Sequence, residues 1–150
     1  MKINEILESV KSGKISTSSA KKLLTLYSIE EVENFAKIDI NRSKRRGVPE
    51  VIFAETKELE DIKKIIKKTL DKTNSVIVSR IKKDDYKKIM LFAKKLKVKI
   101  ETGKNSSSIL LFKKPIKFQG GKVGIMTAGT SDIGVAEEAR LMCEAMNCNC

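Results

Sequence analysis

Short runs of β-branched residues alternate with longer, lysine-laced amphipathic stretches, and that alternation restricts the chain to an α/β architecture. Between Lys57 and Lys72, Leu59, Ile62, Ile66 and Leu70 recur at helical spacing while Lys63, Lys64, Lys67 and Lys68 fill the opposite face. This predicts a helix with one buried stripe and one solvated side. On either side stand Val51-Ile52-Phe53 and Ser75 to Ser79, short and rich in β-branched residues, hence strands. The pattern then repeats. Asp84 or Asp85 opens a helix whose inner face is Tyr86, Ile89 or Met90, Ala93 and Leu96; Val98 to Ile100 is a third strand, 103–108 a loop, and Ile109 to Phe112 a candidate fourth. Strands near 51, 76, 98 and 122, separated mainly by helices, are the mark of right-handed crossovers in a mostly parallel sheet. Ligands of such sheets bind beyond the carboxyl ends of the strands, which makes Arg80 and the loop Thr127 to Asp132 candidate ligand positions.

Ahead of this lies a helical hairpin. Ile3, Ile6, Leu7 and Val10 form one helical face, Gly13 closes the helix, Ser16 is an N-cap, and Ala20, Leu23, Leu24 and Tyr27 supply a second stripe. Residues 28–38 carry acids among apolar positions, with Val32, Phe35, Ala36 and Ile38 as candidate core contacts. The segment Asp39 to Glu50 changes character, and its Pro49 ends any helix before the strand at Val51. Were it helical, spacing of three would align Asp39 with Arg42 and Arg45; a surface ion-pair turn is the plain alternative.

The net charge of +12 raises the question of a nucleic-acid partner. Of 31 basic residues, 26 are lysine and five arginine, and three of the arginines, Arg42, Arg45 and Arg46, fall within five positions. Scattered lysine is an ordinary solvated surface, whereas clustered arginine suits a bidentate grip on phosphate or carboxylate. With two Tyr and no Trp for base stacking, the composition argues against nucleic acid as the partner, although a basic binding or regulatory module is the alternative from another class. No apolar run approaches membrane-spanning length and the start Met1-Lys-Ile-Asn-Glu does not resemble a secretory signal, so the chain is read as cytoplasmic with no membrane partner. Histidine is absent, and Cys143, Cys148 and Cys150 are an odd set read as free thiols, with no metal site assigned.

From Lys122 to Ala139 the order is apolar run, small-residue loop, helix, with Val135, Ala139, Met142 and Met146 at helical spacing. Free N–H groups and the helix dipole make the start of such a helix an anion site over Gly129, Thr130 and Ser131; Ser131 or Asp132 acting only as an N-cap is the competing reading. The loop is neither a Walker motif, lacking Gly-Lys-Ser/Thr, nor a dinucleotide fingerprint, since Gly124, Gly129 and Gly134 are too widely spaced.

Taken together, Asp39-x-x-Arg42-x-x-Arg45-x-Gly47-x-Pro49-Glu50-Val51-Ile52-Phe53 and Thr127-Ala-Gly-Thr-Ser-Asp-x-x-Val-Ala-Glu-Glu-Ala139 resemble the family that makes the nickel-pincer nucleotide cofactor of lactate racemase. Within it they resemble pyridinium biscarboxylic acid mononucleotide synthase, whose catalytic half is similar to aminoimidazole ribonucleotide carboxylase. The resemblance implies carboxylation of the pyridinium ring of nicotinic acid adenine dinucleotide by carbon dioxide or bicarbonate and cleavage of its phosphoanhydride to release AMP. It implies that Gly129, Thr130 and Ser131 hold a phosphate, that Asp132 contacts ribose or handles protons, and that Arg42 and Arg45, with Asp39, Glu50 and Arg80 as weaker candidates, meet substrate charge. It also implies no tightly bound cofactor, a divalent ion such as magnesium as a candidate addition, and a homo-oligomer in the full-length family. Membership of the purine carboxylase group is the nearest alternative.

The implied organisation is an N-terminal α/β region over 1–115, a linker over 116–121, and over 122–150 the first strand, loop and helix of a flavodoxin-like three-layer catalytic domain. The family continues past Met146 through further strands, a glycine-rich segment with a histidine, and a nucleophilic cysteine, so the chain is expected to be C-terminally truncated. Two smaller departures are Gly134, where proline is usual, and Thr56, where glycine usually precedes Lys57.

Overall fold

The structure, a computed structural model, describes residues 3–26, 29–32, 36–39, 48–118 and 120–150. The chain divides into two compact units, Met1–Asn41 and Arg42–Cys150.

In the first unit, helices α1 (Ile3–Lys11) and α2 (Thr17–Leu26) form the expected hairpin, with Ile6 and Ala20 buried. Gly13 turns the chain at φ +71°, a left-handed conformation that costs glycine little, and its N–H donates to Val10 O at 3.0 Å. Ser16 caps α2: its Oγ accepts the Ser19 N–H at 3.0 Å, satisfying one of the helix's orphan donors. In the stretch 28–38, given no element by the sequence pattern, the described residues together with Asp39 form two antiparallel strands, β1 (Ile29–Val32) and β2 (Ala36–Asp39), with Ile29 opposite Asp39.

The second unit runs β3 (Glu50–Phe53), α3 (Leu59–Lys72), β4 (Ser75–Ser79), α4 (Lys83–Lys95), β5 (Lys99–Thr102), β6 (Ile109–Phe112), a 3-10 turn (Thr130–Asp132) and α5 (Ile133–Ala145). Its sheet has the order β3-β4-β6-β5. The α/β class follows the sequence reading, and the sheet is mixed. Strands β3, β4 and β5 share one direction, while β6 lies between β4 and β5 antiparallel to both. Burial explains the insertion. All four residues of β6 are buried, so Ile109 to Phe112 needs a neighbour on each side, whereas the polar Lys99-Ile-Glu-Thr102 tolerates the sheet edge.

Strand alternation sorts the core into two layers. On one face Ile77, Leu110 and Phe112 pack with Leu141 of α5, flanked by Val51, Ile116, Met142 and Ala145. Val76, Val78, Ile109 and Leu111 point to the other face, which α3 and α4 cover with Ile62, Ile65, Ile66, Leu70, Ile89 and Ala93. The second unit is therefore a three-layer sandwich with a single helix on one side.

Two expectations about 122–146 are corrected. The run Lys122–Met126, expected as a buried strand, makes one parallel bridge, Lys122 to Asn149, and leaves Met126 97% exposed, because only its start has a backbone partner. The stripe Val135, Ala139, Met142, Met146 is not the buried face of α5: Val135 is 71% exposed. The inward face is Glu138, Leu141, Met142 and Ala145, at i, i+3, i+4 and i+7, because Glu138 is tied to the sheet by two serines.

Candidate functional site

Because β3, β4 and β5 run the same way, their carboxyl ends share one edge of the sheet, the edge where α/β folds bind ligands. The chain leaves it as Ala54 to Lys57 after β3, Arg80 to Lys83 after β4, and the loop 103–108 after β5. Helix α5 reaches this edge from the opposite face. A Cβ on Gly134 would stand 2.5 Å from the Asn105 carbonyl oxygen, and one on Gly103 would stand 2.7 Å from the Glu137 Cβ. No real side chain tolerates such separations, so both glycines are close-approach positions. At 134 the resemblance leads one to expect proline, whose Cβ would meet the same carbonyl.

Polar anchors reinforce this junction. Ser79 at the end of β4 donates its hydroxyl to Glu138 Oε1 at 2.5 Å, and Ser108 at the start of β6 donates to Oε2 at 3.0 Å. Both serines are fully buried, so the carboxylate satisfies two donors that water does not reach. One turn away, Arg140 donates to Glu137 at 3.0 Å, to Glu144 at 2.5 Å and to the Thr102 carbonyl at 3.0 Å, while the Lys104 N–H donates to Glu137 at 3.2 Å. The hydrogen bond from Arg140 holds the Glu137 carboxyl below its usual pKa, with the Lys104 N–H adding to it. Burial works against the Arg140 charge, but its bonds to Glu137 and Glu144 raise its pKa all the same.

Above this scaffold lies the 3-10 turn Thr130–Asp132. Gly129 enters it extended, at φ −115° and ψ 152°, and the Asp132 N–H donates to Gly129 O at 3.2 Å. Neither Gly129 nor Asp132 caps its helix through a side-chain hydrogen bond, and Ser131 Oγ turns to Asp132 Oδ1 at 3.3 Å. Asp132 thus holds the N-cap position of α5 without a side-chain bond, and the Thr130, Ser131 and Asp132 side chains remain exposed.

The other expected site residues separate into three groups. Arg80 stands at the predicted edge in a left-handed conformation, φ +54°, paired with Glu55 at 3.2 Å and 6.0 Å from the Phe53 ring centroid. Glu50 heads β3 at the amino end, half-buried and opposite Val76, so it is on the other side of the sheet's length from the turn. Asp39 ends β2 in the first unit; Arg42 and Arg45 lie outside the described residues.

Glu138, Arg140 and the loop 103–108 received no role from the sequence. An acidic residue three positions before the apolar Leu141 on a helix was the available signal for Glu138. Cys143, Cys148 and Cys150 are free, and burial raises the Cys143 pKa, with Cys150 and Cys148 as neighbouring contributors. Among the described residues, no group of three or more His, Cys, Asp and Glu is arranged to hold a metal ion, and no helix is long and apolar enough to cross a membrane.

The chain is 36% identical to an uncharacterized protein of Methanocaldococcus jannaschii over 148 residues, 96% of this chain and 57% of the relative. The chain thus spans somewhat more than half the length of that relative. Residues 29–105, from the β1–β2 hairpin into the loop that docks α5, match the LarB/PurE-like N-terminal domain, and the chain belongs to that family.

Proposed function

We propose that this chain is the N-terminal portion of an enzyme that carboxylates the pyridinium ring of nicotinic acid adenine dinucleotide and cleaves its phosphoanhydride, releasing AMP and a biscarboxylated pyridinium mononucleotide for nickel-pincer cofactor synthesis. The observation that carries the reading is the bridged segment, turn and helix at 122–145 on a chain of this family. The Val123 N–H donates to Asn149 O and the Asn149 N–H to Gly121 O, both at 2.8 Å. A parallel bridge closed through α5, with the Thr130–Asp132 turn between its two sides, supports reading this stretch as the beginning of a βαβ crossover.

In this reading residues 122–150 begin the catalytic domain. Gly129, Thr130 and Ser131 offer N–H and hydroxyl donors to a phosphate, and Asp132 contacts ribose or relays a proton. Arg42 and Arg45, with Arg80 at the edge, offset substrate charge. Carbon dioxide or bicarbonate is the co-substrate. The exposed Val123, Met126 and Val135 mark the flank that further chain or a second subunit would cover in the longer family proteins. Turnover therefore requires sequence beyond this stretch, whereas nucleotide binding does not.

The test is direct. The chain is incubated with the dinucleotide, bicarbonate and magnesium, AMP is followed by chromatography, and binding is followed by calorimetry. Binding without turnover, lost in Ser131→Ala, is the expected result. Robust AMP release by the 150 residues alone, or affinity unchanged by Ser131→Ala, overturns it.

A further inference from the structure

A pocket of about 620 Å³ opens at the same edge of the sheet on the α4 side, lined by Ile81, Lys83, Tyr86, Lys87 and the loop residues Asn105 to Ser107. The geometry points to a second small-molecule site here, for a ring compound bearing a phosphate or carboxylate, separate from the Thr130–Asp132 turn. Its volume falls in the range of ligand pockets, roughly 300–1,000 Å³.

Three observations converge on that ligand class. Lys83 and Lys87 stand at i and i+4, about 6 Å apart at their Cβ atoms, close enough to share one anion. Among the described residues neither enters an ion pair, although neighbouring charges do: Lys88 takes Asp85 at 3.1 Å, and Lys82 donates to the Lys57 carbonyl at 3.2 Å. Two uncommitted ammonium groups on one wall are satisfied by an incoming anion. Asp84 and Asp85, the acids of that helical turn, do not line the pocket.

Facing the lysines is a wall that recognises rather than repels. Ser106, Ser107 and Asn105 bring hydroxyl and amide groups, and Asn105 holds φ +54° at the loop tip. The loop is fixed in place by the Ile81 N–H donating to Ser107 O at 2.9 Å and by the Ser108 N–H donating to Ser106 Oγ at 3.1 Å. Between the two polar walls lie the buried Ile81 and the Tyr86 ring, an apolar floor against which a flat ring can pack. Burial raises the Tyr86 pKa, so its hydroxyl stays a donor throughout the neutral range. The inference stands independently of the proposed reaction, because it uses no residue of the Thr127–Asp132 loop.

The experiment is a titration of the isotopically labelled chain with AMP, adenosine and inorganic phosphate, read by amide chemical shifts. AMP is expected to saturate, shifting Lys83 to Lys87 and Asn105 to Ser107. Adenosine should bind about tenfold more weakly or worse, and the Lys83→Ala/Lys87→Ala double variant should lose at least as much for AMP. The Lys83→Arg/Lys87→Arg variant restores binding, and Ser131→Ala leaves these shifts intact. Equal affinity for AMP and adenosine, shifts confined to Thr127 to Asp132, or a well-dispersed double variant that binds AMP as before would each overturn the site. Pocket shifts absent while the dinucleotide still binds in a Ser131-dependent way would remove this inference and leave the proposed function standing.

Discussion

Replacing Glu138 by alanine should be among the most damaging single changes in the second unit, although the residue is acidic and on a helix near the surface. Its two carboxylate oxygens receive the Ser79 hydroxyl at 2.5 Å and the Ser108 hydroxyl at 3.0 Å, and both serines are fully buried. Truncation leaves two dry donors without an acceptor, at about 1–3 kcal/mol each, so a loss near 3 kcal/mol is expected after partial relaxation. With a urea slope of about 2 kcal/mol/M, the midpoint falls by about 1.5 M at unchanged slope. The assay is urea unfolding at neutral pH followed by circular dichroism. Glu138→Gln, which keeps the shape and one acceptor, should lose only about 1 kcal/mol. Removing all three partners in Ser79→Ala/Ser108→Ala/Glu138→Leu should recover most of the loss, since no donor is then stranded. A Glu138→Ala protein within about 0.5 kcal/mol of the parent, the range of an ordinary surface substitution, would refute the claim that this carboxylate docks α5.

Gly134→Ala should destabilise by about 1–3 kcal/mol in the same assay, despite the roughly 1 kcal/mol that alanine ordinarily adds to a helix, because the new Cβ would meet the Asn105 carbonyl at 2.5 Å. Leu141→Ala, emptying a site with no solvent exposure between Ile77, Leu110 and Phe112, should cost about 2–5 kcal/mol. Arg80→Ala should change stability by less than about 1 kcal/mol, its pair with Glu55 being 63% exposed on both sides. For Glu137 the folded pKa lies below the unfolded 4.5, so the stabilisation is present above that value and is lost as pH falls through the folded pKa. Glu137→Gln should therefore flatten the acid limb of the stability curve while leaving its slope at alkaline pH unchanged.

Local patterns were legible wherever they were also tertiary ones. The stripe through Ile62, Ile66 and Leu70 announced α3, Ser16 announced the cap of α2, and the β-branched run at 75–79 announced β4. Pairing order was not legible, because the place of β6 depends on a comparison between Ile109-Leu-Leu-Phe112 and the polar β5 as rivals for the sheet centre. The inward face of α5 was misread for a related reason. Val135, Ala139 and Met146 form the more apolar stripe, but the helix is rotated by the Glu138 contacts to Ser79 and Ser108, residues 59 and 30 positions away. Of the candidate positions, Arg80 follows β4 as expected and Thr130–Asp132 follows a segment that pairs only at its start, while the pocket beside Lys83 and Lys87 was hidden because lysine is everywhere in this chain.

The loop 103–108 joins these features physically. One side of it, through Asn105 to Ser107, lines the α4 pocket; the other, through the Asn105 carbonyl and the Lys104 N–H, abuts Gly134 and Glu137 within two turns of Asp132. A ligand seated against Lys83 and Lys87 would therefore touch the loop that abuts the start of α5. Coupling between two sites requires a shared element whose arrangement both ligands bias, and the loop is the element that touches both the pocket and α5 in this fold. Its glycine contacts make the junction closely packed. With Gly103 facing the Glu137 Cβ and Gly134 facing the Asn105 carbonyl, no side chain is available to absorb a shift, so displacement of the loop moves the helix rather than being lost in repacking. The small residues at 103 and 134 and the acids at 137 and 138 thus belong to one junction, which holds the start of the helix behind the Thr130–Asp132 turn.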